Sequence, residues 1–362
     1  MSDHPANDEI EISVFGPGYG EAILIHIGNG DWIAIDSCID PKDGSVMPFQ
    51  YLESLGVALS SQVKLIITTH WHDDHIKGLS NLLVASESAK FCCATAFTKK
   101  EFMQFALAHQ DADPSLLGKA TNEIATILRI LHTRKSTPVY LKADVCVFSS
   151  KSDPAIEVFS LSPGDDKIHK FLSRIAGDFP IEKSLQRRAG DLSPNDLSIV
   201  LQIRFPNGSV LLGGDLEEVP GKGWTTIIDN SVSLRGDATA FKIPHHGSQT
   251  GHSSDVWDKL LSKDVVAVLT PWRKGSGFLP SPNDVARILS FTNDAYSTAD
   301  PSAVSPIRRD SQVAKQLSVM GIKLHLAHPR PGRLTLRRKF SEREWRVKTD
   351  GTARHLSKLV SR

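Results

Sequence analysis

The stretch His70-Trp71-His72-Asp73-Asp74-His75 decides the fold. It follows residues 63–69, a near-continuous run of β-branched residues that predicts a buried strand. His70 and His72 lie just past the end of this strand, so their side chains can converge on one point. Asp74 and His75 can face a second point in the same loop. Imidazoles and carboxylates are ligands of zinc, and a catalytic zinc keeps one position open for water. The motif therefore predicts a metal centre at a strand end.

The composition of the chain is that of an ordinary globular protein. Its 362 residues are 40% hydrophobic and 23% charged, with a net charge of +1, which excludes a disordered class and a global basic field for nucleic acid. No secretory signal is recognised at the N-terminus, and no apolar run is long enough for a membrane span. Four cysteines without a C-x-x-C motif predict reduced thiols in a cytoplasmic protein.

Periodicity divides the chain into β-rich halves and a helical segment between them. We expect one domain over residues 1–362, with a helical insertion at about 98–138, where the apolar period becomes helical. Strands are predicted at 197–205, 210–213, 241–243 and 265–269, and a helix at 282–291. Residues 294–306 are predicted to be the least ordered. A basic segment, 323–362, is expected to close the fold with strands at 323–327, 333–337 and 345–347.

Three further motifs extend the pattern of the metal loop, namely Ile33-Ala-Ile-Asp36, Leu211-Leu-Gly-Gly-Asp215 and Phe241-Lys-Ile-Pro-His-His-Gly-Ser248. Together with the loop at 70–75 they resemble the metallo-β-lactamase superfamily over roughly residues 9–97 and 140–290. The stretches at 18–25, 195–200 and 244–248 are similar to the hydrolase domain of competence DNA-uptake channel proteins. The motifs are specific for fold and metal and much less specific for substrate.

This resemblance implies an α/β fold, an αβ/βα sandwich with the metal site at one sheet edge. It implies one or two zinc ions, or manganese instead, and a metal-bound hydroxide as the nucleophile. Two residues are implied to act in catalysis: Asp74 would ligate and orient the hydroxide, and Asp36 would support the loop through hydrogen bonds. Asp215 would bridge the metals. The implied ligands are His70, His72, Asp74, His75, Asp215 and one of His245 and His246.

The sequence departs from the family pattern at one ligand of the first metal. Many family members carry a further histidine between the first loop and the Gly-Asp motif, and here Asn195, Asp196 or Ser198 occupies the corresponding position. Either one metal has fewer ligands, or it takes one from the His245-His246 pair. Only one of these two histidines can point inward.

Four residues are candidates for substrate binding: Asn195, Ser198, Lys242 and Ser248. Lys242 and Ser248 flank the paired histidines and could hold an anionic group. The alternative is a surface lysine and a helix-capping serine. These residues complete the site that the sequence predicts.

The expected reaction is zinc-dependent hydrolysis of a phosphodiester, in a nucleic acid or a nucleotide. The support is the subgroup resemblance and the basic segment, in which residues 330–362 hold eleven Lys or Arg against three acidic residues. Such a patch could bind single-stranded nucleic acid or could be a solvated sheet edge. The alternatives are hydrolysis of a small carboxylic ester, lactone or thioester, and an inert binding module on the same fold. The helical insertion is either plain helical cover or the interface of a homodimer.

Overall fold

The computed structural model describes residues 4–16, 20–95, 120–150, 153–177, 194–219, 223–274, 277–300, 316 and 331–359. Two eight-stranded sheets dominate these residues, and a small two-stranded sheet accompanies them. Both large sheets are mixed, and their parallel strands lie next to one another within each sheet. This arrangement brings the carboxyl ends of several strands to the same edge.

The first sheet has the strand order β17-β16-β1-β2-β3-β4-β5-β6. Its strands are Glu9–Gly16 (β1), Ala22–His26 (β2), Trp32–Ile35 (β3), Val63–Ile67 (β4), Lys90–Ala94 (β5), Val139–Leu141 (β6), Gly332–Lys339 (β16) and Arg346–Asp350 (β17). β3 to β6 are parallel, and the other pairs are antiparallel. Helices connect the parallel strands, as such crossovers require.

The second sheet has the strand order β18-β15-β12-β11-β10-β9-β8-β7. Its strands are Val145–Ser150 (β7), Ile156–Ser160 (β8), Leu201–Phe205 (β9), Gly208–Leu212 (β10), Ala238–Lys242 (β11), Leu261–Leu269 (β12), Ala295–Ser297 (β15) and Arg354–His355 (β18). β9 and β10 form an antiparallel hairpin, whereas β10, β11, β12 and β15 run parallel. Trp272–Lys274 (β13) and Gly277–Leu279 (β14) form a separate antiparallel hairpin.

Helices lie outside the two sheets. They are Met47–Ser54 (α1), Leu59–Gln62 (α2), Asp73–Ile76 (α3), Leu79–Ala85 (α4), Ala120–Thr133 (α5), Asp165–Gly177 (α6), Trp224–Asn230 (α7), Ser254–Lys259 (α8) and Pro282–Phe291 (α9). One buried apolar cluster contains residues of both sheets, such as Ile25 and Ile203, so the sheets pack face to face. A second cluster joins the second sheet to α7, α8 and α9. The predicted αβ/βα sandwich is confirmed.

The predicted helical insertion is only partly covered by the described residues. Residues 98–119 lie outside them, whereas Ala120–Thr133 forms α5. Glu123 of α5 accepts a hydrogen bond from the backbone of Ser80 in α4 at 2.7 Å. Arg134 donates to the carbonyl oxygen of Leu83 at 2.7 Å. The described part of the insertion therefore covers α4, and its role in a dimer stays a prediction.

One expectation from the sequence is wrong in the described residues, and another is only partly covered by them. Residues 294–306 were expected to be the least ordered. Of these, Ala295–Ser297 forms β15 and pairs with β12 and β18, whereas 301–306 lie outside the described residues. Residues 333–337 were expected at a sheet edge, but β16 lies between β1 and β17. The predicted strand at 323–327 lies outside the described residues.

The basic segment is less accessible than its composition indicates. Arg337 is buried and pairs with Glu11 of β1 through its guanidinium. Arg338 is buried as well, and it donates to the carbonyl oxygens of Arg343 and Asn207, both at 2.8 Å. Lys339 and Arg343 remain exposed. Only part of the predicted phosphate-binding patch therefore faces solvent.

All four cysteines are free, as expected for reduced thiols. Among the described residues, no helix combines the length and the apolar character needed to cross a membrane.

Candidate metal centre

The site residues follow the carboxyl ends of strands from both sheets. Asp36 follows β3, His70 lies shortly after β4, Asp215 follows β10, and His246 follows β11. Adjacent parallel strands end at the same edge, where open α/β sheets bind their ligands. The two sheets thus bring residues distant in sequence to one place.

Asp36 anchors the metal loop through three hydrogen bonds. Its carboxylate accepts from the backbone N–H of Thr69 at 2.7 Å, from the Thr69 hydroxyl at 2.6 Å and from Nδ1 of His75 at 2.9 Å. Asp36 is 1% exposed and has a left-handed φ of 57°. These contacts fit the supporting role that the resemblance implies, because they fix the ring orientation of a histidine.

The same hydrogen bonds decide which imidazole nitrogens remain free. His75 Nδ1 donates to Asp36, so in the neutral, metal-binding form of this ring the lone pair lies on Nε2. The Thr69 hydroxyl donates to Asp36 and can accept from His70 Nδ1 at 3.0 Å, which leaves the lone pair of the neutral His70 ring on Nε2. His70 Nε2 and His72 Nδ1 are 3.0 Å apart. A shared proton or a shared cation is needed to hold two imidazole nitrogens this close.

Asp215 Oδ2 lies at the centre of these nitrogens. It is 3.4 Å from His75 Nε2, 3.4 Å from His246 Nε2 and 3.8 Å from His70 Nε2. His246 Nε2 is also 3.7 Å from Asp74 Oδ2. Ligand-type atoms of His70, His75 and Asp215 lie within 4.8 Å of one another, and so do those of Asp74, His75 and His246. Five of the predicted ligands therefore form two groups that share His75, whereas His72 and His245 belong to neither group.

The chemistry of these groups fits bound metal ions. Asp215 and His75 are buried, yet Asp215 Oδ1 and His75 Nε2 have no hydrogen-bond partner among the described residues. A buried polar atom without a partner costs about 1–3 kcal/mol, so an unexplained pair of them points to a missing ligand. Imidazole nitrogens and carboxylate oxygens are the donor set of zinc.

Burial and the central carboxylate control the charges of the site. Burial would lower the pKa of His75 and His246, but the carboxylate of Asp215 outweighs it. The pKa of His246 is raised, and that of His75 is raised well above its usual value. For His70, burial and the neighbouring His75 lower the pKa well below the usual range. For Asp215, burial would raise the pKa, but His246 and His75 hold it well below its usual value. The site therefore favours an ionised Asp215 with positive charge beside it at His75 and His246, whereas His70 favours the neutral ring.

The structure brings His246 of the paired histidines into the site. His246 is buried, and its Nδ1 donates to the carbonyl oxygen of Thr270 at 3.1 Å, so that Nε2 faces Asp74 and Asp215. His245 instead contacts the hydroxyl of Thr250 at 2.8 Å through Nδ1. Both have left-handed backbones, with φ of 47° and 54°. This bend directs the two neighbouring side chains to different sides.

Ser198 and Asn195 lie where the resemblance would place a further histidine, and their surroundings differ. The Ser198 hydroxyl oxygen accepts from the backbone N–H of Asp215 at 2.8 Å, so this buried residue supports the Asp215 turn and does not face a substrate. Gly214 has a φ of 52°, and a Cβ there would lie 2.6 Å from Ser198 Oγ. Asn195 donates to Glu217 at 3.0 Å, whereas its Oδ1 is buried without a hydrogen-bond partner among the described residues. Asn195 therefore offers an unsatisfied oxygen.

Two other predicted substrate residues have structural contacts. Lys242 is 0% exposed, and its Nζ lies 2.7 Å from Glu21 Oε1. It is therefore not the surface group that an anionic substrate would meet. Ser248 accepts from the backbone N–H of Thr250 at 3.2 Å and caps a short 3-10 turn. This is the capping alternative expected for Ser248.

Sequence reasoning missed Glu21, Thr69 and Trp272. Thr69 links Asp36 to His70, and Glu21 contacts Lys242. The ring of Trp272 stacks against that of His246, with ring centroids 6.4 Å apart. The signal for Glu21 was present, since a lone acidic residue precedes the apolar strand β2. Trp272 carried no such signal, because its position depends on the path of the chain between the end of β12 and the start of β13.

Comparisons with known proteins give similarity at the level of structure. No protein-family model matches the chain, and no curated protein matches it. The metallo-beta-lactamase fold protein YhfI from Bacillus subtilis is 13% identical, over 65% of this chain and 70% of that one, with a TM-score of 0.35. A metallo-beta-lactamase from Cronobacter sakazakii is 13% identical over 60% and 66%, with a TM-score of 0.33.

A third solved structure is the class B3 di-zinc metallo-beta-lactamase LRA-12 from an Alaskan soil metagenome. It is 12% identical over 62% of this chain and 67% of that one, with a TM-score of 0.31. At such identities the likeness concerns the fold alone. The chemistry of the site follows from its own side chains, and the resemblance to competence DNA-uptake proteins stays a prediction.

Proposed function

We propose that this chain is a metal-dependent hydrolase with two zinc ions at the described centre. One observation carries the proposal: Asp215 Oδ2 lies 3.4–3.8 Å from Nε2 of three buried histidines, His70, His75 and His246. A carboxylate oxygen among several imidazole lone pairs is suited to be shared between two cations.

The side chains divide into two ligand sets. His70, His72 and Asp215 would hold one ion, and Asp74, His75, His246 and Asp215 would hold the other. Bound zinc acidifies water, which gives a nucleophile at neutral pH, and polarises the substrate oxygen. Manganese accepts the same nitrogen and oxygen donors.

The residues of the chain orient the reaction. Asp36 and Thr69 fix the rings of His70 and His75 through hydrogen bonds. Asp74 is 8% exposed and lies beside His246. We assign its carboxylate to orienting the attacking water and accepting its proton.

For the substrate we favour a phosphodiester. The hairpin β13–β14 supports this choice, because the ring of Trp272 stacks on that of His246 and is partly exposed. A flat aromatic ring next to a metal centre suits a base or another planar group attached to a phosphate. Arg337 and Arg338 give no such support, since they are buried.

Metal analysis combined with a substrate screen tests the proposal. The purified protein should contain one to two zinc or manganese ions per chain, and chelation should abolish its activity. It should hydrolyse a chromogenic phosphodiester faster than a chromogenic carboxylic ester or a lactone. Absence of metal, with no activity on adding zinc or manganese, would refute the metal centre. Faster ester or lactone hydrolysis would move the assignment to that alternative, and full metal content without any hydrolysis would indicate the inert binding module.

A further inference from the structure

Lys242 at the end of β11 and Glu21 just before β2 form an ion pair next to the metal centre. The two side chains are 0% and 1% exposed, and Lys242 Nζ lies 2.7 Å from Glu21 Oε1. Removing two ions from water costs free energy that their mutual attraction often fails to offset. The pair is therefore not explained by its own attraction. Its further contacts are with the Asp215 turn, with Asp74 and with Thr270, which lie in or beside the metal centre.

On one side, Lys242 contacts the Asp215 turn. Its Nζ donates to the carbonyl oxygen of Gly214 at 3.1 Å and lies 3.9 Å from Asp215 Oδ1. That oxygen has no hydrogen-bond partner among the described residues, whereas Asp215 Oδ2 faces the histidines. The two oxygens of one carboxylate thus have different surroundings, and the ammonium group lies on the Oδ1 side.

On the other side, Glu21 contacts the segments that carry the remaining ligands. Its backbone N–H donates to the carbonyl oxygen of Asp74 at 2.7 Å. Its Oε2 accepts from the hydroxyl of Thr270, and the carbonyl oxygen of Thr270 accepts from His246 Nδ1 at 3.1 Å. Because a carbonyl oxygen can only accept, His246 carries a proton on Nδ1, and in the neutral, metal-binding form of the ring the lone pair lies on Nε2.

We propose that Lys242 and Glu21 act together as a positioning pair for the metal centre. The pair fixes the rotation of Asp215 so that Oδ2 faces the histidines, and it connects this carboxylate to Asp74 and His246. The proposal rests on the proposed metal centre and adds two residues outside its ligand set. Polar partners of this kind hold ligands in the orientation that metals require.

A purely electrostatic role predicts a different result for the pair. The ammonium group of Lys242 repels a metal cation and the carboxylate of Glu21 attracts it, so removing both charges together should leave metal binding nearly unchanged if charge were all that mattered. If the pair positions Asp215, its removal should weaken metal binding. The two explanations are therefore distinguished by whether metal affinity falls when both residues are replaced.

The test is the double variant Lys242→Met/Glu21→Gln, which leaves no unpaired buried charge. The matched control is Glu11→Gln/Arg337→Met, because Glu11 and Arg337 form another buried ion pair, between β1 and β16. Zinc affinity is measured by competition with a chelator, the visible spectrum is recorded with cobalt in place of zinc, and thermal unfolding is followed on metal-free protein. We expect zinc affinity to fall about 10- to 100-fold in the test variant, with an altered cobalt spectrum. The control should keep the parent's affinity and spectrum.

Parent-like or tighter zinc binding by the test variant, with the parent's cobalt spectrum, would overturn the proposal. If that variant does not fold, a crystal structure of the zinc-loaded parent decides. It should show Asp215 Oδ2 bound to metal and Oδ1 hydrogen-bonded to Lys242, and metal bound to Oδ1 would contradict the inference. A parent protein that binds no zinc would instead refute the metal centre itself.

Discussion

At the scale of single residues, Asp74 separates metal chemistry from loop structure. Replacing it with Ala removes a carboxylate beside His246 but leaves His70 and His72 in place. We expect the hydrolysis rate to fall about 100-fold or more, because a ligand and a proton acceptor are lost together. The metal-free protein should unfold at nearly the parent's temperature, since the variant removes one of several neighbouring carboxylates.

The neighbouring Asp73 provides the control for this prediction. It has the same charge and lies in the same loop, but it belongs to neither group of ligand-type atoms among the described residues. Asp73→Ala should keep most of the activity. Steady-state kinetics of both variants on a chromogenic phosphodiester give the comparison, and a fully active Asp74→Ala protein would show that the loop is not catalytic.

The spacing of the loop at 70–75 predicted its histidines and Asp74 as ligands, and the resemblance added Asp36, Asp215 and one of His245 and His246. The structure brings most of these side chains together, and their roles stay predictions. Neither source could predict that Lys242 is buried. Its partner Glu21 lies 221 positions away in sequence, and the two meet only because both sheets end at one edge. Ser198 was misread for the same reason, since its partner is the backbone of Asp215.

At the scale of elements, His26 makes the β1–β2 region sensitive to acid. Burial lowers the pKa of His26 to about 4, from an ordinary value of 6.5. Its Nδ1 donates to the carbonyl oxygen of Glu9 at 2.9 Å, and its Nε2 accepts from the backbone N–H of Gly30 at 3.1 Å. Only the neutral ring can make both bonds, so protonation opposes folding.

The sign of the resulting pH dependence follows from this depressed pKa. The stabilising contribution is complete above pH 6.5 and is lost as the pH falls towards 4, because the unfolded chain binds a proton that the folded chain excludes. The loss should amount to about 3 kcal/mol. Urea unfolding of metal-free parent and His26→Gln at several pH values measures it. Parallel pH profiles of the two proteins would contradict the prediction.

The β13–β14 hairpin carries the prediction about the substrate. Trp272→Ala should raise the Michaelis constant for a dinucleotide substrate about 10-fold, the loss expected for one stacked base. The zinc content should not change, because Trp272 lies beside His246 without being a ligand. Trp257→Ala is not a suitable control, as Trp257 packs within the second apolar cluster. Phe278→Ala, on the same hairpin opposite Arg273, is the matched variant. An unchanged Michaelis constant in Trp272→Ala would remove the hairpin from the substrate site.

Periodicity predicted the positions of elements such as α9 and β4 well. It failed where the neighbours of a strand decide its environment. β16 looked like an edge because charged residues alternate along it, but Arg337 meets Glu11 in a buried pair. β15 is only three residues long and gains its order from pairing with β12 and β18.

At the scale of the whole molecule, Arg338 braces the two sheets against each other. It belongs to β16 of the first sheet and donates to Asn207 in the β9–β10 turn of the second. Its guanidinium also lies over the rings of Phe205 and Trp345. Burial lowers its pKa to about 10, so it stays charged at neutral pH.

Arg338→Met should therefore destabilise the fold by about 3 kcal/mol, because the carbonyl oxygens of Arg343 and Asn207 lose their donor and a buried side chain loses its packing. Zinc content should be retained, since Arg338 is not among the proposed ligands. It pairs with Ile10 near the start of β1, at the opposite end of that strand from Gly16. The exposed Arg343→Ser is the control and should change stability by no more than about 0.5 kcal/mol. Urea unfolding measures both, and equal stabilities would show that the brace is dispensable.

The surface charge of the molecule allows a test of nucleic-acid binding. Lys339 and Arg343 are two exposed basic residues of the segment 330–362 that is expected to contact phosphates. If they do, binding of single-stranded DNA should weaken with salt, with a log–log slope of about −0.7 per phosphate contacted. Lys339→Ser/Arg343→Ser should flatten this slope and leave hydrolysis of a small phosphodiester unchanged. Identical slopes in salt titrations of both proteins would exclude this surface.

The left-handed backbones at Asp36, His245 and His246 restrict how this sequence can change over evolutionary time. Asp, Asn and His tolerate this conformation better than other side chains, and β-branched residues tolerate it worst. A related protein that no longer bound metal could thus accept few substitutions at these positions without loss of stability, chiefly Asn and Gly. Asn or Gly at 36, 245 and 246 in a related chain would mark a former metal site, because the left-handed backbone conformation would persist after the metal ligands were lost.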